Sequence, residues 1–146
     1  MVETTRHFTA TTFIVNEGKV LLHLHKKLDK WLPVGGHIDR DELPHKAAER
    51  EAREESGLEI SIEGRRELSE DTDELPRPDT VLLQDINEHH QHIDSVFYVE
   101  SDGDDLDPEN GIEKMEWFTV RDLSESDLDE EIEKHAREAI EKFDGQ

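Results

Sequence analysis

The sequence predicts a mixed α and β fold on three observations. Short β-rich runs alternate apolar and polar residues early in the chain and again after residue 80. A helix-forming stretch lies between Pro44 and Gly57, and an amphipathic stretch follows Asp127. At 146 residues the chain has the length of one domain with room for a core, and residues 1–146 are expected to form a single unit.

Phe8 to Val15 and Lys19 to His25 read as strands joined by Asn16-Glu17-Gly18, a hairpin signal. A basic loop carrying Lys26, Lys27 and Lys30 then leads to Trp31-Leu32-Pro33-Val34-Gly35-Gly36. Pro44 suits a first helical position, where its missing N–H would have no intrahelical partner, and Gly57 suits the left-handed position just past the last turn. Ala48 and Ala52 share a flank of this helix, where small side chains allow close packing on a sheet.

Leu58 to Ile62 alternates as a half-buried strand should, whereas Glu63 to Pro78, acidic and interrupted by Pro76 and Pro78, reads as an exposed loop. Thr80 to Ile86, Ile93 to Val99 and Lys114 to Val120 are further strands. The Asp-rich run Ser101 to Gly111 invites a calcium-loop reading but has no glycine at the required sixth position, so a solvated connection is expected. Leu128, Ile132, Ala136, Ala139, Ile140 and Phe143 recur at helical spacing, which predicts a terminal helix from Asp127 to Phe143 covering the sheet.

Charge bounds the partners. The formal net charge is −22, from 39 acidic against 17 basic residues. Because the apolar residues fall in periodic blocks, an ordered acidic protein is expected rather than a disordered one. Such a surface suits high salt, where a Debye length of roughly 3 Å at 1 M screens self-repulsion, and a halophilic origin is expected. Nucleic acid is excluded as a partner by like charge. With no cysteine, disulfides and thiolate metal sites are excluded, and no apolar run has the length of a membrane span. A cytoplasmic protein without membrane contact is the expectation.

The helix carries the chemistry. Glu51, Glu54 and Glu55 fall within a sector of roughly 100° on its surface. Like charges so placed destabilise a helix by about a few tenths of a kcal/mol per pair, and a bound cation reverses that sign. Magnesium is the natural ion, being hard, partial to carboxylate oxygens and able to bridge to phosphates; zinc would more often recruit His or Cys.

The full pattern, G-x5-E-x7-R-E-x-x-E-E-x-G, is present as Gly36, Glu42, Arg50, Glu51, Glu54, Glu55 and Gly57, with Leu58 following. It resembles the Nudix box of the Nudix, MutT-like hydrolases, and the W-x-x-P-x-G-G approach is also similar. Leu43, where Ser or Thr often caps the helix, and Ala52, where a larger aliphatic residue is common, depart from the usual pattern.

The resemblance implies an α/β/α sandwich with a mixed sheet between the box helix and the C-terminal helix. It implies water attack on phosphorus in a nucleoside diphosphate derivative, either a nucleoside triphosphate, ordinary or oxidised, or an ADP-ribose-like nucleotide. Pro76, Pro78 and the single tyrosine, Tyr98, mark neither substrate. Magnesium is the implied cofactor, with manganese as a substitute. Glu51, Glu54 and Glu55 are the implied metal ligands, joined by the Gly36 carbonyl. The same glutamates and Arg50 form the implied catalytic set, in which one glutamate, or a carboxylate outside the box, acts as base and Arg50 clamps the others. Glu42 either joins the cluster or pairs with Arg50.

His37, Arg40 and Lys27 are candidate substrate contacts beside Glu42, against the competing reading of ordinary loop residues. His89, His90 and His92, with His23 and His25, form a zinc candidate, against which hydrogen-bonding neutral histidines weigh more. Trp31, Phe97 and Tyr98 could stack on a base, although aromatics on strands are more often core. A homodimer is left open. The alternative to an enzyme is a nucleotide-binding module that has lost turnover, which would have been free to lose the box carboxylates.

Overall fold

A computed structural model describes residues 2–144. Its spine is β1 (Thr5–Asn16), long enough to serve three neighbours. β2 (Lys19–His25) meets only its end, at Val15 and Asn16. β3 (Lys30–Leu32) extends the sheet beyond β2, and β4 (Val34–His37) runs antiparallel to the middle of β1, with Ala10 opposite Gly36 and Thr11 opposite Gly35. After helix α1 (Pro44–Ser56) comes the small hairpin β5 (Arg66–Ser69) and β6 (Thr72–Glu74). β7 (Thr80–Asn87) and β8 (His90–Glu100) return to the sheet, β8 lying parallel to β1 and β7 forming the edge. β9 (Met115–Phe118) pairs with β2, and α2 (Val120–Glu125) and α3 (Glu130–Phe143) close the chain.

Strand alternation divides the core in two. Ala10, Ile14, Leu21, Phe97 and Val99 pack against Ala47, Ala48 and Ala52 of α1. Phe13, Val15, Val20, Leu22 and Val96 pack on the opposite face against Leu123, Ala136, Ala139 and Ile140 of α2 and α3. Successive side chains of one strand thus feed both layers, giving the expected sandwich with its mixed sheet. Among the described residues no helix is long and apolar enough to cross a membrane.

Several elements differ from the sequence reading. Leu58 to Ile62 joins no sheet: Leu58 and Ile60 are buried, while the Ile62 amide donates to Glu49 Oε2 at 2.9 Å. The alternation reported burial correctly, but a strand also needs a neighbour. The predicted loop at 63–78 contains the β5–β6 hairpin, whose side chains are mostly exposed and whose ion pairs, Arg65 with Asp73 and Arg66 with Glu74, carry no apolar signal. β3 and β4 lie within the stretch read as an approach to the helix. The last predicted strand stops at Phe118, because Thr119 opens a capping box: its hydroxyl accepts from Asp122 N–H while the Asp122 carboxylate accepts from Thr119 N–H. β8 starts three residues before Ile93, so His90 and His92 lie on the strand rather than ahead of it, and the terminal helix starts at Glu130 rather than Asp127.

Helix α1 has the predicted bounds. Leu43 occupies the N-cap with no side-chain bond, and Gly57 ends the helix at φ 80, its amide donating to the Arg53 carbonyl. A Cβ at Gly57 would also lie 2.8 Å from Asp107 Cβ. Asp107 is there because the chain at 107–109 runs along the helix end, donating Asp107 N–H to Ser56 O and Glu109 N–H to Glu55 O. The acidic connection is therefore tied to the helix end here, besides its bonds at Ser101 to Val15 and Asn16 and at Asp104 to Trp117.

Candidate active site

Gly36 of β4 lets the Glu51 side chain of α1 approach the sheet, and Gly35 lets β4 lie close on β1. A Cβ on Gly36 would sit 2.5 Å from Glu51 Oε1, and one on Gly35 would sit 2.6 Å from the Ala10 carbonyl. Any larger residue at 36 would displace the Glu51 carboxylate. The Gly35 amide donates to Glu55 Oε1 at 2.9 Å, so the backbone of β4 holds one glutamate and leaves space for another.

Arg50 organises the rest. Its Nε and Nη2 grip both oxygens of Glu42 at 2.6 and 2.9 Å, its Nη1 reaches Glu51 at 2.9 Å and Glu54 at 3.2 Å, and Nη2 also donates to the His37 carbonyl at 3.1 Å. Of the two roles open to Glu42, pairing with Arg50 is the one the geometry shows. Arg50 holds the Glu42 carboxyl below its ordinary range, and the surrounding carboxylates push the guanidinium further up.

Glu55 is outside this grip. Burial first, then the like charges of Glu51 and Glu109, push its carboxyl up to about 8, against the lowering effect of the Gly35 amide. Its other oxygen faces His23 Nε2 at 3.4 Å, and burial lowers the pKa of that imidazole, so His23 neutralises it poorly. A buried carboxylate beside a second one, held by a backbone amide, is what a site for a hard cation looks like before the cation is added. Glu51 and Glu55 beside the Gly36 backbone offer oxygen donors of the kind a divalent ion takes, while Glu54, half-exposed, is joined to Glu51 through Arg50.

Gly35, Gly36, Glu51 and Glu55 line a cleft of about 500 Å³. Its walls include His23 and His25 of β2, Leu82 and Gln84 of β7, Ile132 and His135 of α3, and Glu109. On its floor Asp94, 3% exposed, accepts hydrogen bonds from the Thr9 and Thr11 hydroxyls, and burial raises its carboxyl pKa despite those bonds.

The candidate residues divide accordingly. Glu42, Glu51 and Glu54 gather on Arg50, while Gly36, His37, Glu51 and Glu55 line the cleft and Glu54 does not. Lys27 lies in the exposed turn after β2 and Arg40 borders a separate groove with Pro44, so neither lines the cleft. Lys26 and Lys30 pair with Glu113 and Asp129. Trp31 packs edge-on against Phe118, Phe97 is core, and the Tyr98 hydroxyl lies 2.8 Å from His135 Nδ1 and donates to Glu138, which leaves none of the three in the cleft. The zinc grouping is also different: His23 goes to Glu55, whereas His92 lies beside His7 and His37.

Sequence reasoning missed Asp94, Glu109 and His7. The alternation of β8 carried a signal for Asp94, an acid on the same strand face as the buried Val96 and Tyr98. None existed for Glu109, which reaches the cleft only through the tie between 107–109 and the helix.

A family model described as NUDIX domain matches residues 5–143. Among solved structures, a NUDIX family hydrolase from Clostridium perfringens is 36% identical, with a TM-score of 0.84 over 96% of this chain and 99% of that one. A MutT NUDIX hydrolase from Burkholderia pseudomallei superposes at 0.67 with 20% identity, covering 95% of this chain and 98% of that one. A MutT protein from Methanosarcina mazei Go1 gives 0.71 at 16% identity over 100% of each chain. The latter two share the fold.

Proposed function

The chain belongs to the Nudix hydrolases, a family that acts on nucleoside diphosphate derivatives with divalent metal ions, and from that premise we propose a magnesium-dependent hydrolysis of the diphosphate bond in a nucleoside triphosphate or an ADP-ribose-like nucleotide. The observation that carries this reading is the pairing of a raised, buried Glu55 with Glu51 at the wall of a cleft large enough for a nucleotide moiety. Glu51, Glu54, Glu55 and the Gly36 carbonyl would hold magnesium, with manganese as substitute. When bound, the ion neutralises the diphosphate and lowers the pKa of a bound water.

The chain's own residues do the rest. Arg50 keeps Glu51 and Glu54 in fixed positions through one guanidinium nitrogen, so their oxygens are presented together rather than apart. The Gly35 amide fixes Glu55. Outside the box, Asp94, Glu109 and Glu131 also line the cleft, and Glu109 is the one whose charge acts on Glu55, so the base that takes the water proton is a box glutamate or one of these carboxylates. Leu82, Val96 and Ile132 offer an apolar wall to a base or sugar, and Asp94 a polar floor. The intact carboxylate set disfavours a binding module without turnover.

A substrate panel tests this: triphosphates, ADP-ribose and dinucleoside polyphosphates, in high salt, with magnesium and with EDTA. We expect a phosphate-bearing nucleoside product with magnesium and none with EDTA. Nucleotide binding without metal-dependent product would support the binding module instead.

Two further proposals rest on the surface. The net charge of −22 supports adaptation to high salt, so dilution from molar to low ionic strength is expected to lower the melting temperature through unscreened repulsion. Equal melting temperatures would remove this reading. Phe8 and Leu83 flank Ile93 in one cross-strand row, and both are exposed next to Val81 on the edge strand β7. A second copy meeting this face would cover apolar surface and an open strand edge, which supports a homodimer; a monomer by sedimentation at working concentration would exclude it.

A further inference from the structure

Four of the nine histidines gather on one face of three adjacent strands. His7 of β1 is the register partner of His92 of β8, and both belong to a parallel pair, so their side chains leave the sheet side by side. His37, the last residue of β4, stands opposite Thr9, two residues along from His7 on the same face. His90 lies two residues before His92 and packs its ring edge-on to His7 at 4.5 Å between centroids. His37 and His92 meet at 5.0 Å.

One ring nitrogen from each of His7, His37 and His92 lies within 4.8 Å of the other two. Three nitrogens bound to one zinc ion at about 2.0–2.1 Å stand roughly 3.3 Å apart in a tetrahedral set. Rotation of exposed side chains closes that difference, since His7 and His37 are both exposed and His92 half-buried. We propose that His7, His37 and His92 form a binding site for a borderline divalent ion of the zinc class, distinct from the carboxylate site.

The two sites separate by chemistry. An all-imidazole set selects zinc, cobalt or nickel over magnesium, while the α1 glutamates offer the oxygen donors that magnesium needs. Strand pairing makes the histidine site rigid at its backbone, because each ligand comes from a different hydrogen-bonded strand of one sheet. Three protein ligands leave a coordination position for water or a substrate oxygen. His37 and His92 also line the cleft, so an ion held there sits at its edge, one residue along the chain from Gly36.

The test uses the full chain, stripped of metal and then saturated with magnesium so that the carboxylates are occupied. Cobalt is titrated while its visible absorption is followed, and zinc is used to displace it. The expected result is one equivalent of cobalt, displaced by zinc, with affinity reduced about 100-fold in His7→Ala and in His92→Ala, since losing a ligand weakens a site at least as much as losing an outer partner. Glu54→Gln is expected to leave cobalt binding unchanged. His7→Asn provides a second, milder variant, and circular dichroism confirms that each variant is folded. No cobalt absorption in the wild type, unchanged affinity in His7→Ala and His7→Asn, or loss of affinity in Glu54→Gln would each overturn the proposal.

Discussion

Glu55→Gln is expected to give a folded protein that turns substrate over about 100-fold or more slowly, because it removes charge from the place where a cation and a water proton must be handled. The fold survives because a glutamine Oε1 can still accept from the Gly35 amide, as the carboxylate does at 2.9 Å. Metal-free protein offers a second readout. The folded carboxyl titrates near 8 and its ordinary value is 4.5, so between these values the folded state binds more protons than the unfolded state. Stability contributed by this group is therefore present at low pH and falls as pH rises through that window. Denaturant unfolding across pH should show the fall in metal-free wild type and its loss in Glu55→Gln. A variant that unfolds, or one with wild-type turnover, would show that Glu55 is structural or idle.

Arg50→Met should damage stability and turnover together. Methionine keeps much of the length of the side chain but leaves Glu42, Glu51 and Glu54 without their shared partner. Removing one member of a buried ion pair costs about 3–5 kcal/mol, but this network is part-buried, with Arg50 20% and Glu54 52% exposed, so solvent screening lowers the expected cost to roughly 1–2 kcal/mol at neutral pH. The sign with pH is opposite to that of Glu55. Arg50 lowers the Glu42 carboxyl, so its contribution is present above the ordinary value of 4.5 and is lost as pH falls below it. The stability gap between wild type and variant should therefore narrow in acid. Lysine at this position is not expected to restore function, because it has no planar fork to grip both oxygens of Glu42 while reaching Glu51. A melting temperature unchanged in Arg50→Met would mean that solvent already screens the network.

What the sequence made legible follows from what leaves a local trace. Pro44 and Gly57 bound α1 because backbone geometry at a helix start and end is a one-residue matter. Glu51 and Glu55 share the cleft for the same reason, since spacing on a helix fixes their direction, whereas Glu54 lies outside its lining. Mixed α and β content was legible through alternation and the sandwich only through the family resemblance, but sheet neighbours were not: Leu58 to Ile62 alternates with no partner strand, while Lys30 to Leu32 and Val34 to His37 pair without announcing it. Lys27 and Arg40 looked close to the box along the chain and lie away from the cleft in space. Histidine grouping failed similarly, because His7 and His92 are neighbours only through a parallel pairing that spans most of the chain.

The splice at 107–109 changes what kind of helix α1 is. Most helices loosen at their last turn, and a site placed there would share that looseness. Here the terminal carbonyls of Glu55 and Ser56 are already engaged by a distant segment, so fraying would have to break two contacts that the helix does not own. The residues nearest the chemistry thereby inherit the rigidity of an interior turn while standing at an exit, and the Asp-rich connection serves as a fastening as well as a solvated spacer.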